Sequence, residues 1–369
     1  MAYKQIIEKE GGEVVDTAND KSPQTDDDSC IFKSQQIARH ASTPIIGTKK
    51  KTNNMVQVFR ALAIIAVVMI HTTPLGNCQV FCRPFINFSV AMFLFLSGYL
   101  TKADNDNWWA FYKKRIMRVI IPYVIWTVLY ALAAHHIEKL PVYLLTTKAA
   151  APLYYIFVYI QFVLLTPLLG KLARSRYQIL GWFVAPISVI FSKYYWFLTG
   201  TELRPSIDLL WNDSCLPWFT FYYLGLLLGN QIIKKKYSLK VLSIICLASI
   251  VLQMAEAYGW LMLDRMNCGT QLKLTTLLTS SLVLLIAYTI LQNGSFDIKN
   301  RFIRILGDYS FGIYLCHIMV INVLSSFVPF YKNIFYPINS AIVVVISLFC
   351  CYIGAIVCGE KVSKWLGLR

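Results

Sequence analysis

The stretch FRALAIIAVVMIHT runs from Phe59 to Thr72 and holds two residues that an apolar helix has no need of, Arg60 and His71. In an α-helix their separation comes to about three turns, so both side chains fall on one face, roughly 16 Å apart along the axis. A guanidinium and an imidazole are costly in a bilayer and face a polar interior in preference to lipid. The stretch therefore predicts a membrane-spanning helix with one face put to chemical use.

The rest of the chain fits that reading. Of 369 residues, 57% are hydrophobic and only 15% charged, too few charges for the surface of a soluble protein of this length. The apolar residues gather in blocks near the bilayer-spanning length of about 20. The expected fold class is all-α, a polytopic membrane protein with about ten segments: 55–74, 85–101, 119–135, 149–169, 179–197, 215–232, 239–258, 272–291, 309–328 and 338–358. Pro186 interrupts the fifth. Two domains are expected: residues 1–48, polar and mixed in charge with TDDDS at Thr25–Ser29, as a disordered cytoplasmic tail, and residues 49–369 as the membrane domain.

The net charge of +16 sits mostly in alternate short loops. Lys49–Lys51, the loop with Lys102, Lys113, Lys114, Arg115 and Arg118, then Lys171, Arg174 and Arg176, Lys234–Lys236, and Lys299, Arg301 and Arg304 make one set. The opposite set has scattered cations such as Arg83, Lys139, Lys193, Arg204 and Arg265. By the positive-inside rule both termini are cytoplasmic and the protein is a multi-pass protein of the cell membrane. The same pattern accounts for the charge without nucleic acid, so no nucleic-acid partner is expected. The ten cysteines lack zinc-like or thioredoxin-like spacing, and no metal is expected. Cys78, Cys82, Cys215 and Cys268 fall near the outer face, where a disulfide is chemically permitted.

Three further stretches carry chemistry. FYKKRIMRVIIPY (Phe111–Tyr123) places Arg115 and Arg118 at i and i+3, on one helical face. Such a pair suits phosphate oxygens, and equally suits a positive-inside anchor or lipid headgroups. FLFLSGYL (Phe93–Leu100) offers Gly98 for close helix approach and Ser97 for a bond back to the preceding turn. LGDYSFGIYLCH (Leu306–His317) has Asp308 placed to cap the ninth segment and His317 about two and a half turns further in. A histidine partway across a membrane with a basic cluster on the cytoplasmic side would serve chemistry between reactants arriving from opposite sides. The same residue types would serve a proton-coupled transporter.

Together these residues resemble acyltransferase family 3, the integral-membrane acyltransferases that modify surface polysaccharides. The resemblance rests on Arg60 and His71 ten residues apart, on FLFLSGYL, on KKRIMRVIIPY, on LYYIFVYIQFVLLTPLL (Leu153–Leu169), and on FTFYYLGLLLG and SFGIYLCH in order. It covers roughly residues 55 to 358. It implies a ten-helix O-acyltransferase domain that takes an acyl group, usually acetyl, from cytoplasmic acetyl-CoA and delivers it to a sugar hydroxyl of a polysaccharide or a lipid-linked sugar. By the resemblance His71 is the base and Arg60 positions the donor or stabilises negative charge. Arg115 and Arg118, with Lys114, grip coenzyme A phosphates, while Ser97, Gly98, Tyr99 and His317 line or shape the cavity. The chain departs from the family at Tyr154–Tyr155, where a Trp-Phe or Trp-Tyr pair is common. The alternatives to the enzyme are a transporter or flippase for a lipid-linked sugar or small metabolite, and a sensor or scaffold acting through the N-terminal tail.

Overall fold

The computed structural model describes residues 54–195, 213–263, 268–293 and 300–368. The expected tail, residues 1–48, lies outside them, as do Lys49–Lys51, Arg204, Arg265 and Lys299. Fourteen helices are labelled here in chain order. They are α1 (Asn54–Thr72), α2 (Asn77–Ile86), α3 (Ser89–Tyr99), α4 (Trp108–Ala133) and α5 (Leu140–Thr146), then α6 (Tyr154–Arg174), α7 (Gly181–Val189), α8 (Phe219–Gly229), α9 (Leu239–Leu263) and α10 (Leu274–Asn293). Last come α11 (Arg301–Asp308), α12 (Ser310–Phe327), α13 (Ile338–Val357) and α14 (Gly359–Trp365). No strand occurs among the described residues.

The chain is a helical, polytopic membrane protein. Eight helical stretches are long and apolar enough to cross a bilayer, and they account for eight of the ten segments expected from sequence. The other two are built differently. The fifth breaks after α7 into a π-helical turn, Ile190–Tyr194. The sixth is α8, an apolar helix of only 11 residues entered through a 3₁₀ turn at Leu216–Trp218. The second is longer than its apolar core suggests, running as one apolar stretch from Asn77 to Tyr99.

Helix α1 is the hub. It packs against α2, α3, α11, α12 and α13, and most of its residues are buried. Its start lies against α11, where a Cβ on Gly307 would come within 2.2 Å of the Gln57 carbonyl. Its far end is tied to α13 by a 2.7 Å hydrogen bond between the Thr72 and Ser340 hydroxyls. Asp308 does not cap the ninth segment. It is the last residue of α11, and Tyr309 intervenes as the N-cap of α12 with no side-chain cap bond.

Helices α3 and α8 cross at backbone contact. A Cβ on Gly98 would fall 2.2 Å from the Tyr222 carbonyl oxygen, and one on Gly225 2.2 Å from that of Phe95. Between helices in lipid, such approach is what small residues provide. Gly225→Val should therefore cost about 3 kcal/mol of folded-state stability, the upper part of the usual overpacking range. Gly259→Ala is the control, since a Cβ there meets nothing within 4 Å. Melting of the two variants in detergent, followed by size-exclusion profile, should show a large loss for the first and none for the second. Equal profiles would contradict the tight crossing.

Candidate active site

His71 lines an open cavity of about 800 Å³ at the end of the bundle where α1 finishes. Val67, one helical turn earlier, lines it too. Arg60, Val67 and His71 share one stripe of α1 because seven and eleven residues are close to whole turns. Tyr154, Tyr155 and Trp218 form further wall, and Tyr314 reaches it from α12. The Tyr314 hydroxyl donates to the Pro152 carbonyl, and its ring stands edge-on to Tyr155 at 5.6 Å. Thr146–Lys148, Lys193, Asp213 and Gly269–Leu272 complete the lining.

Beneath His71 lies His317. The two rings are 5.2 Å apart between centroids and tilted by 52°. His317 is fully buried, and its Nδ1 faces two backbone carbonyls, Tyr314 at 2.8 Å and Ile313 at 3.1 Å. A carbonyl only accepts, so Nδ1 carries the proton, and Nε2 of the neutral ring holds a lone pair. That Nε2 is buried with no hydrogen-bond partner among the described residues. A partly buried histidine next to the cavity, backed by a buried imidazole in a fixed tautomer, is an arrangement able to take and return a proton.

The remaining expected residues divide into three groups. Arg60 lines neither this cavity nor the recess described below, and lies within electrostatic reach of Arg118, Tyr155, Asp308 and Tyr159. Tyr155 walls the His71 cavity and also lies within electrostatic reach of Arg60. Arg115 is held over the Phe111 ring at 4.9 Å, while Lys114 and Arg118 are exposed. A small recess of about 230 Å³ lies at that end between α1 and α11, lined by Asn54, Gln57, Arg301, Arg304, Ile305 and Asp308. Ser97, Gly98 and Tyr99 line neither cavity. The Ser97 hydroxyl is buried without a hydrogen-bond partner among the described residues, in place of the expected bond to its own helix. Gly98 serves the α3–α8 crossing, and Tyr99 packs against Phe95 and Tyr288 at 5.8 and 6.3 Å.

The rim of the cavity is braced. Lys273 is wholly buried, and its Nζ donates to the Cys268 carbonyl at 2.6 Å. Burial lowers the Lys273 ammonium to about 8, with Glu256 and the Cys268 thiol opposing the shift. The Cys268 thiol donates to Gln79 Oε1 at 3.1 Å, which fastens the turn before α10 to α2. The cysteines of this end, Cys78, Cys82, Cys215 and Cys268, are free thiols. Among the described residues no three His, Cys, Asp or Glu side chains gather in a metal-ligand group.

Sequence alone did not single out Tyr155, Tyr314 or Arg83 as wall residues of the cavity. The comparison with family models gives the class of protein that this site belongs to. The model of the acyltransferase 3 family, an acyltransferase domain, matches residues 53–359. The chain belongs to this family, and with its membrane-spanning helices it is a membrane acyltransferase. No curated protein and no solved structure matches it.

Proposed function

We propose that the protein moves an acyl group, acetyl in the first instance, from acyl-CoA to a hydroxyl of a carbohydrate. The acceptor is a cell-surface polysaccharide or its lipid-linked precursor. The membrane is the cell membrane, and the end of the bundle bearing Arg60 and Arg118 faces the cytoplasm together with the N-terminus, as the loop charges favour. The single observation that carries this reading is the position of His71: on the wall of an open cavity at one end, with Arg60 on the same helix toward the other.

In this mechanism Arg115, Arg118 and Lys114 hold the phosphates of coenzyme A at the cytoplasmic end. The thin pantetheine arm runs inward past Arg60 and Tyr155 toward His71. The acceptor hydroxyl enters from the opposite end, and neutral His71 removes its proton as the oxygen attacks the thioester carbonyl. Negative charge develops on that carbonyl oxygen, and Arg60 supplies a cationic field along the path. The C–S bond then breaks, and the departing thiolate takes the proton back from His71. The products are the acylated sugar and free coenzyme A.

The test uses the full chain in liposomes, with labelled acetyl-CoA inside and a surface-polysaccharide extract outside. Label accumulating on external glycan, and not on glycan enclosed with the donor in right-side-out vesicles, is the expected result. Succinyl-CoA in a parallel arm identifies the donor. No transfer with any acyl-CoA, but movement of a lipid-linked sugar across the bilayer, would favour the flippase.

A further inference from the structure

The cavity that ends on His71 carries charge. Arg83 on α2, Lys148 after α5 and Lys193 in the π turn all line it, against one carboxylate among the described residues, Asp213. The loops of this end are poor in cations, yet three of the few converge on one space. Among the described residues Arg83 makes no ion pair, and its Nε is buried without a hydrogen-bond partner. A buried charged donor left unpaired is costly. Asp213 does not relieve it: it lies within electrostatic reach of Lys148 and Thr147, whereas the groups that act on Arg83 are Tyr336 and Cys268.

From this arrangement we infer that the acceptor is an anionic sugar, one bearing a carboxylate or a phosphate, held by Arg83 with Lys148 and Lys193 around it. The inference rests on the cavity being the acceptor site of the proposed reaction. A planar guanidinium forks onto carboxylate or phosphate oxygens, and the two ammonium groups add field without a fixed geometry. Cations clustered in a low-dielectric cleft also raise the local concentration of an anionic substrate. Thr270 and Gln271 line the same wall and offer partners to sugar hydroxyls, while Trp218 offers an apolar ring face. The cradle is firm, since Gln79, one turn before Arg83, receives the Cys268 thiol and ties α2 to the rim.

The experiment is calorimetric titration of the full chain in nanodiscs with three probes: tri-galacturonate, glucose 1-phosphate and neutral maltotriose. At least one anion should bind tenfold or more tightly than maltotriose, and the two anionic arms tell a carboxylate from a phosphate acceptor. Arg83→Gln should weaken that binding by about tenfold or more, the loss of a charge-assisted hydrogen bond. Lys148→Glu combined with Lys193→Glu should weaken it similarly, and because Lys148 is exposed this second variant covers the case in which Arg83→Gln does not fold. Equal binding of the three probes, no binding of either anion, or anion binding unchanged in the variants would overturn the inference. Acetyl-CoA is titrated into the same samples. Donor binding with no preference for anions rejects the anionic acceptor and leaves the acyl-transfer reading standing. Arg83-dependent anion binding without any donor binding retains the anion site and rejects the donor reading.

Discussion

His71→Ala should lower acyl transfer by about 10³-fold, within the range that a positioned general base contributes. The protein should still fold. Alanine is the best helix former, and the removed ring lies against an open cavity, so little packing is lost. The end of α1 also keeps its Thr72–Ser340 bond. Donor affinity should be unchanged, since the basic residues assigned to coenzyme A sit toward the other end of the bundle. A fall in turnover with constant affinity is the signature of an interaction made only in the transition state. The check is initial rate against acetyl-CoA concentration, with donor binding measured separately. Residual activity within tenfold of wild type would remove His71 from the role of base.

How much of this was readable beforehand depends on whether a feature is local. Helix α1 was readable because an unbroken apolar run with two polar residues about three turns apart has one interpretation in a membrane. Segments five and six were not readable as built. Pro186 and the crowded tyrosines near Tyr194 signalled trouble but not a π turn. Helix α8 can be short because Gly225 and Gly229 let it press directly on α3, and that partner is distant in sequence. The start of the second span was masked by Arg83, which lowers local hydropathy while lining the cavity. For the site, His71 and His317 were visible separately. Their contact was not, since hydrophobic pattern gives each helix a polar side without saying which sides meet. Tyr155 looked like a departure from a family pair, and only its place on the cavity wall, within electrostatic reach of Arg60, gives it a part in the site.

His317→Phe should reduce turnover by about 10²-fold, the lower end of what proton handling is worth. Phenylalanine keeps a buried aromatic ring of similar size, so the change removes Nε2 and Nδ1 while filling the space. What is lost is the unpartnered Nε2 lone pair of the ring packed beside His71. When His71 takes the acceptor's proton both its nitrogens carry an N–H, and His317 Nε2, unpartnered in the adjacent ring, is the buried acceptor that a small ring shift would bring to the imidazolium. The two carbonyls at 2.8 and 3.1 Å hold the His317 proton on Nδ1 and keep Nε2 free for this duty. His317 is thus a positioning residue, and a double-mutant cycle separates that role from simple packing. In a His71→Ala background, His317→Phe should cost almost nothing more, because the group it serves is gone. A structural role would cost the same in both backgrounds. His317→Gln offers a second reading, since its side-chain oxygen is also an acceptor for the protonated His71 ring and should recover part of the rate. Full additivity of the two substitutions, with no recovery by glutamine, would make His317 a packing residue and leave His71 to act alone.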